Sequence, residues 1–529
     1  MRGGALPDPR EVAAGAGALL RSGIVRPLGP RVLGTIAHHV RRGSPKAALL
    51  YAIHAADHPS DAALVFEGRT TTWAGLQDRI RRLANHLRSL GVGPGDGVAI
   101  MLPNRPEFLE AQGAGILVGA HVSFIGPKVP ASQAQDLIQR TSSKVLFTDR
   151  DDVPAPHVIT VGDAHETAIS GASDAEPPVP GEDTAARVVI FTSGTTGRPK
   201  GAVRNLDDNA SVSAFAGFLR VIPFKRGDVH MVVCPLYHSS GSGFATVSQV
   251  LGSPLVLVER FSEEAFCRTV QEHRVTTTAV VPTMLQRICA WERTKEFDLS
   301  SLRVVVCTGS PLREEVRADA RALLGDVIYD LYGSTEMGWV SVASPADQRT
   351  APGSVGRIVP GVDVKVCDPD GNPVAPGERG EIWAASRALM ERYLDDPDLT
   401  TERVRDGYVS VRDVGYVDDR GYLYVVDRAD DMIISGGVNV YPAEAEVALS
   451  SHPNVAEASV FGVPDPDWGQ KVVAAVVASA EVDTDELVAW CRQHASAAAV
   501  PKEIRLVDAL PRNDIGKVNK RALTESWNG

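Results

Sequence analysis

Apolar and polar positions follow two alternating patterns along the first two thirds of the chain. Continuous apolar runs bounded by polar or turn residues predict buried strands. They occupy 98–102, 144–148, 186–190, 230–234, 254–258, 277–281, 303–307 and 327–331. Elsewhere apolar residues recur every three or four positions, as on the predicted helix at 73–90, which Gly91 ends, and the helix at 108–118. This alternation is typical of parallel sheets covered by helices on both faces.

After about residue 361 the pattern changes to short hairpins, with turns at 368–371 and 418–421. The last hundred residues combine helical and strand patterns in a small α+β unit. It has predicted helices at 442–449 and 484–494 and strands at 456–461 and 471–478. We therefore predict an α/β fold with a large N-terminal domain of parallel-rich sheets, a β-rich subdomain and a small C-terminal domain. The stretch 151–185 is rich in Pro, Ala, Gly and acidic residues, which predicts a surface connection.

Composition limits the function classes. At 529 residues the chain is too long for one core, so two or three domains are expected. A net charge of −12 argues against a general nucleic-acid binder. The six cysteines are scattered without a CxxC pair, which favours a reducing cytoplasm over a disulfide framework or zinc site. We find no signal-peptide pattern and no apolar run near the ~20 residues of a membrane helix.

Residues 12–56 carry six basic residues and no acidic one, with apolar residues between them. The basic residues are Arg21, Arg26, Arg31, Arg41, Arg42 and Lys46. Such a segment can lie on an anionic membrane surface. The commoner arrangement is a pair of helices packed on the main body with the arginines in solvent. We treat 1–60 as a basic amphipathic extension, with peripheral membrane contact as the second interpretation.

The stretch 191–201 follows a predicted strand and brings four hydroxyls, three glycines and one lysine together. Glycines let the backbone approach a ligand closely, and hydroxyl and N–H groups can then donate to phosphate oxygens. No Gly-Lys-Ser/Thr ends the stretch, so it is not a Walker A loop. An ordinary Gly/Ser/Thr turn is the alternative, but the density of donors favours phosphate binding.

A second polar group, at 332–336, follows the strand predicted at 327–331 and reads as a turn. Its aromatic ring can stack on a purine, its hydroxyls can hold a phosphate oxygen, and its carboxylate can ligate Mg²⁺. Further polar groups, 235–238 and 308–311, also follow predicted strands. Ligands of parallel sheets bind at the carboxyl ends of the strands, so we expect these groups to lie near one another.

The stretches at 191–201, 332–336, 408–428, 427–437 and 511–517 resemble five motifs, in order, of the adenylate-forming superfamily, and in particular acyl-CoA synthetases. The resemblance covers residues from about 61 to the end. It implies a large adenylate-forming domain at 61–429 and a mobile C-terminal domain at 430–529. The nucleotide-binding residues it implies are Thr192, Ser193, Gly194, Thr195, Thr196, Gly197, Lys200, Gly309, Ser310, Pro311, Asp330, Leu331, Tyr332, Gly333, Ser334, Thr335, Asp413 and Arg428.

The same resemblance assigns roles to individual residues. Tyr332 would pack on adenine, Asp330 would face the adenine amino group, and Thr335 would contact the α-phosphate. The metal ligand would be Glu336. The residues implied to be catalytic are Lys517, Lys200, Thr335 and Glu336.

Asp413 is expected on the ribose hydroxyls, with Arg428 beside it, although a structural ion pair between them is the alternative. The chain departs from the family here, because Val411-Arg412 replaces the usual Thr-Gly, so the ribose could be placed differently. The hinge would be Asp430. Ser435, Gly436 and Gly437 resemble the loop that lines the CoA tunnel.

The resemblance implies an enzyme that uses ATP, Mg²⁺ and coenzyme A. The acid would attack the α-phosphate to give acyl-AMP, and CoA would then displace AMP. The acyl pocket is expected at Tyr237, His238, Gly241, Cys307, Thr308, Gly333 and Trp339. Many small residues and no evident cation favour a medium- to long-chain fatty acid over an aryl acid.

Several alternatives stay open. A fatty acyl-AMP ligase would load a carrier protein, although the insertion such enzymes usually carry is not evident between Glu336 and Asp413. A catalytically silent lipid-binding relative and a monooxygenase that oxidises its adenylate are the others, and the intact Lys200, Glu336, Asp413 and Lys517 count against silence. We expect a cytoplasmic protein and leave homodimer formation open.

Overall fold

A computed structural model describes residues 9–44, 46–180, 186–192, 199–205, 210–386, 389–428, 431–435, 438–512 and 518–527. The chain divides into two compact units. The large unit comprises Met1–Asp363 and Ala385–Val409, and the small unit comprises Val364–Ala384 and Ser410–Gly529. The domain boundaries expected from the sequence, after residues 60 and 429, stay a prediction.

The helices are α1 (Pro9–Arg21), α2 (Pro30–Arg42), α3 (Lys46–Asp57), α4 (Trp73–Ser89), α5 (Pro106–Leu117), α6 (Ala131–Arg140), α7 (Asp163–Ser170), α8 (Ala210–Val221), α9 (Ser239–Val250), α10 (Glu263–His273), α11 (Pro282–Ala290), α12 (Glu314–Leu324), α13 (Pro345–Thr350), α14 (Pro397–Arg403), α15 (Pro442–Ser450), α16 (Thr484–His494) and α17 (Lys520–Trp527), with a 3₁₀ turn at Glu292–Glu296.

The strands are β1 (Ala62–Phe66), β2 (Arg69–Thr72), β3 (Gly97–Met101), β4 (His121–Phe124), β5 (Ser143–Thr148), β6 (His157–Thr160), β7 (Arg187–Thr192), β8 (Lys200–Asn205), β9 (His230–Val232), β10 (Leu255–Leu257), β11 (Thr277–Val280), β12 (Val304–Thr308), β13 (Ile328–Ser334), β14 (Gly338–Ala343), β15 (Arg357–Ile358), β16 (Asp363–Cys367), β17 (Gly380–Ala385), β18 (Arg392–Tyr393), β19 (Val404–Arg405), β20 (Tyr408–Val409), β21 (Asp413–Val417), β22 (Leu423–Arg428), β23 (Ile433–Ser435), β24 (Val438–Val440), β25 (Val455–Asp465), β26 (Gly469–Ala478) and β27 (Glu503–Leu506).

Two sheets form the frame of the large unit. The first has the order β15-β14-β13-β12-β11-β9-β10-β1-β2, and its strands are parallel from β13 to β1. The second has the order β18-β8-β7-β4-β3-β5-β6 and is parallel from β7 to β6. This arrangement confirms the predicted α/β class. Parallel pairing places the carboxyl ends of β9, β11, β12 and β13 at one edge of the first sheet.

The helix α4 shows how the apolar pattern determines packing. Its predicted face is buried, with Trp73, Leu76 and Leu83 all fully inaccessible to solvent. The helix begins at a capped position, because the Thr72 hydroxyl accepts a hydrogen bond from Gly75 N at 3.2 Å. The recurrence of apolar residues every three or four positions therefore predicted both the helix and the face that packs into the core.

The stretch 151–185 contains regular structure that the sequence analysis did not predict. Strand β6 pairs in parallel with β5, and the helix α7 follows it. One reason is a buried polar contact between His165 Nε2 and Glu110 Oε2, which are 2.7 Å apart. The other carboxylate oxygen, Glu110 Oε1, accepts a hydrogen bond from Arg79 Nε at 2.6 Å. These partners are far apart in sequence, so composition alone indicated only a connection.

In the N-terminal segment, α1 contacts α8, and α3 lies between α2 and α4. Ala18 is buried in a cluster that includes Phe218 and Ile222, and Tyr51 of α3 shares a cluster with Trp73. The helices α1 and α3 are thus held by apolar contacts within the large unit. In the part of the chain that the structure describes, no helix has both the length and the apolarity needed to cross a bilayer.

The small unit contains two β-structures. Strand β17 pairs with β16 and β21, and β21 pairs with β22. The second sheet has the order β24-β23-β26-β25, with β27 parallel to β26. Residues of α15 and α16 share one apolar cluster with this sheet, and residues of α17 share another. The observed helix α16 has the predicted bounds, and both predicted strands are present.

Candidate active site

One side-chain contact shows that two of the predicted polar groups meet. Ser239 begins α9 directly after Tyr237 and His238, and its Oγ lies 2.9 Å from Thr335 Oγ1. Thr335 directly follows β13, on the same sheet as β9. The loop after one strand therefore touches the segment after another, as expected for the carboxyl edge of a parallel sheet.

The segment 332–336 is only partly a turn, which corrects the sequence analysis. Tyr332, Gly333 and Ser334 continue strand β13, and they pair with β14. At Gly333 a Cβ atom would lie 2.1 Å from the carbonyl oxygen of Gly338, so only glycine fits the close approach of these two strands. The chain turns after Ser334, whose hydroxyl accepts from the N–H groups of Glu336 at 3.2 Å and Met337 at 3.0 Å.

Two side chains that the sequence analysis missed hold Thr335 and Glu336. Arg204 of β8 donates to the Thr335 carbonyl oxygen from Nε at 3.0 Å and from Nη2 at 2.5 Å. The Tyr393 hydroxyl of β18 donates to Glu336 Oε1 at 3.2 Å. Met390 N also donates to the Glu336 carbonyl oxygen at 2.9 Å. Backbone and side chain of this segment are thus fixed from another sheet.

The electrostatics of these contacts reflect their burial. Burial lowers the pKa of Arg204, and the nearby Glu336 carboxylate opposes that shift. The pKa of Tyr393 is raised above its usual range by burial and by Glu336, so its hydroxyl keeps its proton and remains a donor. An arginine directly after the apolar pair Ala202-Val203 was the one sequence signal that could have identified Arg204.

The residues present fit a Mg²⁺ ion that is shared with a nucleotide. Glu336 is 8% exposed, and its carboxylate is oriented by the Tyr393 hydroxyl. Among the described residues no group of three or more His, Cys, Asp and Glu side chains could hold a metal. Mg²⁺ is commonly held by one or two carboxylates together with substrate phosphates and water. One well-placed carboxylate is therefore enough when the substrate supplies phosphate oxygens.

The predicted phosphate loop connects two antiparallel strands. Thr192 ends β7 and Lys200 begins β8, and the two face each other in register. The Thr192 hydroxyl approaches the Lys200 carbonyl oxygen at 3.4 Å. Ser193, Gly194, Thr195, Thr196 and Gly197 lie outside the described residues. Binding of phosphate by this loop stays a prediction, with Thr192 and Lys200 placed at its base.

Asp330 is a buried carboxylate on β13 of the first sheet. Arg317 Nη2 of α12 donates to its Oδ2 at 3.0 Å. Burial nevertheless raises the pKa of Asp330 to about 6. The structure thus gives Asp330 an ion-pair partner that the sequence did not indicate, while its predicted contact with adenine stays untested.

The residues around Asp330 form a connected edge. The Thr308 hydroxyl donates to the Leu331 carbonyl oxygen at 2.8 Å, which ties the end of β12 to β13. Gly309 follows with φ +95°, a conformation that favours glycine, and Ser310 and Pro311 continue the loop. The loop after β12 therefore lies beside β13, the strand that contains Tyr332, as the predicted nucleotide site requires.

The residues expected in the acyl pocket fall into different environments. Tyr237 and His238 have ring centroids 4.5 Å apart, and Trp339 lies 4.3 Å from the Phe218 ring. Cys307 is fully buried, in a cluster that includes Leu285. The remaining glycine of the set, Gly241, lies where a Cβ atom would be 2.1 Å from the Pro235 carbonyl oxygen. Grouping them in one pocket stays a prediction.

In the small unit, Asp413 and Arg428 face each other across β21 and β22. Arg428 Nε donates to Asp413 Oδ1 at 3.1 Å, so the predicted ion pair is present. Asp413 is buried, whereas the Arg428 side chain is 48% exposed. Arg412 before it has φ +68°, the left-handed conformation that favours glycine, which is the residue expected here from the resemblance. The departure at Val411-Arg412 therefore places a non-glycine residue in a strained conformation.

Of the remaining predicted residues, the structure describes Ser435. Ser435 ends β23 and is buried. The expected hinge residue Asp430, the expected tunnel residues Gly436 and Gly437, and Lys517 lie outside the described residues. Nearby, Asp427 Oδ2 accepts from Ala443 N of α15 at 2.9 Å. This contact links β22 to the first turn of α15 inside the small unit.

Two family models of AMP-binding enzymes match this chain. A family model described as AMP-binding enzyme matches residues 51–394, and one described as AMP-binding enzyme C-terminal domain matches residues 444–517. A feruloyl-CoA synthase of Amycolatopsis sp is 35% identical, over 87% of this chain and 95% of the relative.

Two further proteins are similar over nearly their whole length. The fatty acid–[acyl-carrier-protein] ligase ScoC of Streptomyces coeruleorubidus is 31% identical, over 90% of this chain and 95% of the relative. The structure of o-succinylbenzoate CoA synthetase from Bacillus subtilis with its acyl-adenylate intermediate has a TM-score of 0.81 and 30% identity. The similarity covers 90% of this chain and 98% of the o-succinylbenzoate CoA synthetase chain.

Proposed function

Because the chain belongs to the family of AMP-binding enzymes, we propose that it is an AMP-forming acid–thiol ligase. Its substrates would be ATP, a carboxylic acid and coenzyme A, and Mg²⁺ would be its metal cofactor. The observation that carries the proposal is the Thr335–Glu336 segment, which Ser239, Arg204 and Tyr393 fix at the carboxyl edge of the parallel strands.

In the first half-reaction a carboxylate oxygen of the acid attacks the α-phosphorus of ATP, and pyrophosphate leaves. Thr335 would donate to an α-phosphate oxygen, while Lys200 and Lys517 would compensate the negative charge at the reacting groups. Glu336 would hold Mg²⁺, which supplies further compensation of phosphate charge when bound. Asp330, Tyr332, Asp413 and Arg428 would position adenine and ribose.

In the second half-reaction the CoA thiolate attacks the acyl carbonyl carbon. The C–S bond forms, the carbon–oxygen bond to AMP breaks, and AMP leaves. This step would require Lys517 to leave the site and CoA to enter along Ser435, Gly436 and Gly437. Asp430 is the proposed hinge for the exchange, since a few residues between domains can absorb the backbone change.

For the acid we propose a medium- to long-chain fatty acid. The residues expected in the pocket include Gly241, Gly333 and Trp339 and contain no lysine or arginine. A second carboxylate on the substrate would have no cationic partner in that set. The similarity to a fatty acid–[acyl-carrier-protein] ligase agrees with an alkyl acid, and it keeps a carrier protein as the alternative acceptor.

An aryl acid is the second candidate, and a specific observation favours it. The relatives include a feruloyl-CoA synthase and an o-succinylbenzoate CoA synthetase, both named for aromatic acids. The aromatic groups Tyr237, His238 and Trp339 could contact a ring as well as an alkyl chain. Membrane contact, homodimer formation and a cytoplasmic location also stay predictions.

The experiment is AMP release by the purified full chain with ATP, Mg²⁺ and a panel of acids, with and without CoA. The panel runs from acetate through octanoate, laurate and palmitate to benzoate and ferulate, and mass spectrometry identifies the thioester. CoA-dependent release with an alkyl acid supports the first candidate, and release with ferulate or benzoate supports the second. Adenylate that CoA does not consume would indicate a carrier-protein acceptor. Absence of adenylate with every acid would contradict the proposed ligase.

A further inference from the structure

The outward face of the helix α2 carries apolar side chains in solvent. Val32 and His39 are buried on the inner side of the helix, which contacts α3. On the outer side Leu33 is 53% exposed and Val40 is 69% exposed, with the exposed Ala37 between them. Residues at spacings of three and four share one side of a helix, so these three form a continuous apolar stripe.

The residues before α2 extend the apolar exposure. Leu20 is 60% exposed and Val25 is 51% exposed. Nine large apolar side chains of the described residues are strongly exposed, and four of them lie between Leu20 and Val40. The others are Val158, Ile434, Val447, Trp468 and Leu506. Single exposed apolar residues are ordinary, whereas contiguous apolar patches such as the stripe on α2 are a feature of interaction surfaces.

Basic residues precede and follow this stripe in the sequence. Arg21, Arg31 and Arg41 are exposed, and among the described side chains no carboxylate forms an ion pair with them. Two other arginines of the segment do have carboxylate partners. Arg26 pairs with Asp57, and Arg42 Nη1 lies 3.2 Å from Glu176 Oε2. The segment contains no acidic residue between 12 and 56, although the whole chain carries −12.

We propose that this basic segment docks on an anionic lipid bilayer through the apolar stripe of α2, with the exposed Leu20, Val25, Arg21 and Arg41 contributing to the contact. The arginines complement acidic headgroups, and the apolar side chains enter the boundary between headgroups and acyl chains. At 13 residues α2 is about 20 Å long, so it lies along the surface and does not span the bilayer. This surface is independent of the ligase reaction, and the remaining acidic surface would limit unspecific attachment.

The test is co-sedimentation of the full chain with vesicles. One set contains phosphatidylcholine alone, and the other also contains about 30% phosphatidylserine, a charge density that attracts basic segments. We expect binding to the anionic vesicles, weak binding to the neutral ones, and release at about 0.5 M salt, where charges are screened within a few ångströms. Equal binding to both sets, or no binding to anionic vesicles, would overturn the proposal.

Variants locate the surface. Leu33→Ser with Val40→Ser, and separately Arg21→Gln with Arg41→Gln, should each reduce binding about tenfold or more. The matched control is Val158→Ser with Arg69→Gln, an exposed pair outside the segment, which should bind like the unchanged protein. Melting temperatures and octanoate activity in solution verify folding. Unchanged vesicle binding by both variants of the segment would overturn the assignment, as would a change only in oligomeric state, which would identify a subunit interface.

Discussion

Replacement of Tyr393 by phenylalanine tests how the proposed metal ligand is positioned. The Tyr393 hydroxyl donates to Glu336 Oε1 at 3.2 Å, and both side chains are buried, at 5% and 8% exposure. Phenylalanine keeps the ring and removes only this donor. The substitution therefore leaves the Glu336 carboxylate in place but frees it to rotate.

The magnitude follows from the type of hydrogen bond. A hydrogen bond to a charged group contributes about 1.5–3 kcal/mol when both partners are buried. Since each 1.4 kcal/mol corresponds to about tenfold in an equilibrium, the loss predicts a roughly 10- to 100-fold weaker apparent affinity for Mg²⁺. Loss of a group that orients a metal ligand typically has an effect of this size. At saturating Mg²⁺ most of the rate should return.

The assay is the initial rate of acid-dependent AMP release as a function of Mg²⁺ at saturating ATP and acid. Tyr329→Phe is the control, because it removes a hydroxyl from β13 without touching Glu336. Glu336→Gln should lose activity at every Mg²⁺ concentration. An unchanged Mg²⁺ dependence in Tyr393→Phe, together with a normal melting temperature, would refute the positioning role.

Three further predictions address other parts of the chain. Arg412→Gly should raise the free energy of unfolding by about 0.5–1 kcal/mol, because relief of the left-handed conformation exceeds the added entropy of unfolded glycine; destabilisation in urea unfolding would contradict it. Burial lowers the pKa of His230 to about 3 and that of His54 to about 4. The unfolded histidines accept protons below a pKa of about 6.5, so each should cost about 2 kcal/mol of stability at pH 5 relative to pH 7. His230→Asn should reduce the loss measured between those pH values by that amount, and an unchanged loss would refute the assignment. Asp430→Pro, which fixes φ near −65°, should preserve acyl-AMP formation and strongly slow thioester formation; equal loss in both half-reactions would contradict the hinge.

Local sequence patterns were sufficient to predict most helices and strands. The three- and four-residue spacing from Trp73 to Leu87 identified α4 and its buried face. The helix α16 was predicted with its observed bounds, and in the structure the Asp483 side chain caps its start. By contrast, α7 depends on a buried contact between His165 and Glu110, which are 55 positions apart. Its own sequence has little apolar periodicity, so it was interpreted as a connection.

The same limit applies to the candidate site. Motif residues such as Thr335 and Glu336 were evident because they follow a predicted strand. Their supports were not, since Arg204 and Thr335 are 131 positions apart and Tyr393 and Glu336 are 57 apart. Only the pairing of β18 with β8 brings the two supports together. The left-handed backbone conformation of Arg412 likewise could not be predicted from the sequence.

The most direct test of the proposed reaction follows one atom. A carboxylic acid that supports AMP release is labelled with ¹⁸O in its carboxylate and converted with ATP and CoA, and the AMP is analysed by mass spectrometry. Attack of the carboxylate on the α-phosphorus predicts that one ¹⁸O atom appears in AMP, because the carbon–oxygen bond breaks when CoA attacks. Unlabelled AMP, or ¹⁸O in inorganic phosphate, would contradict an acyl-adenylate intermediate.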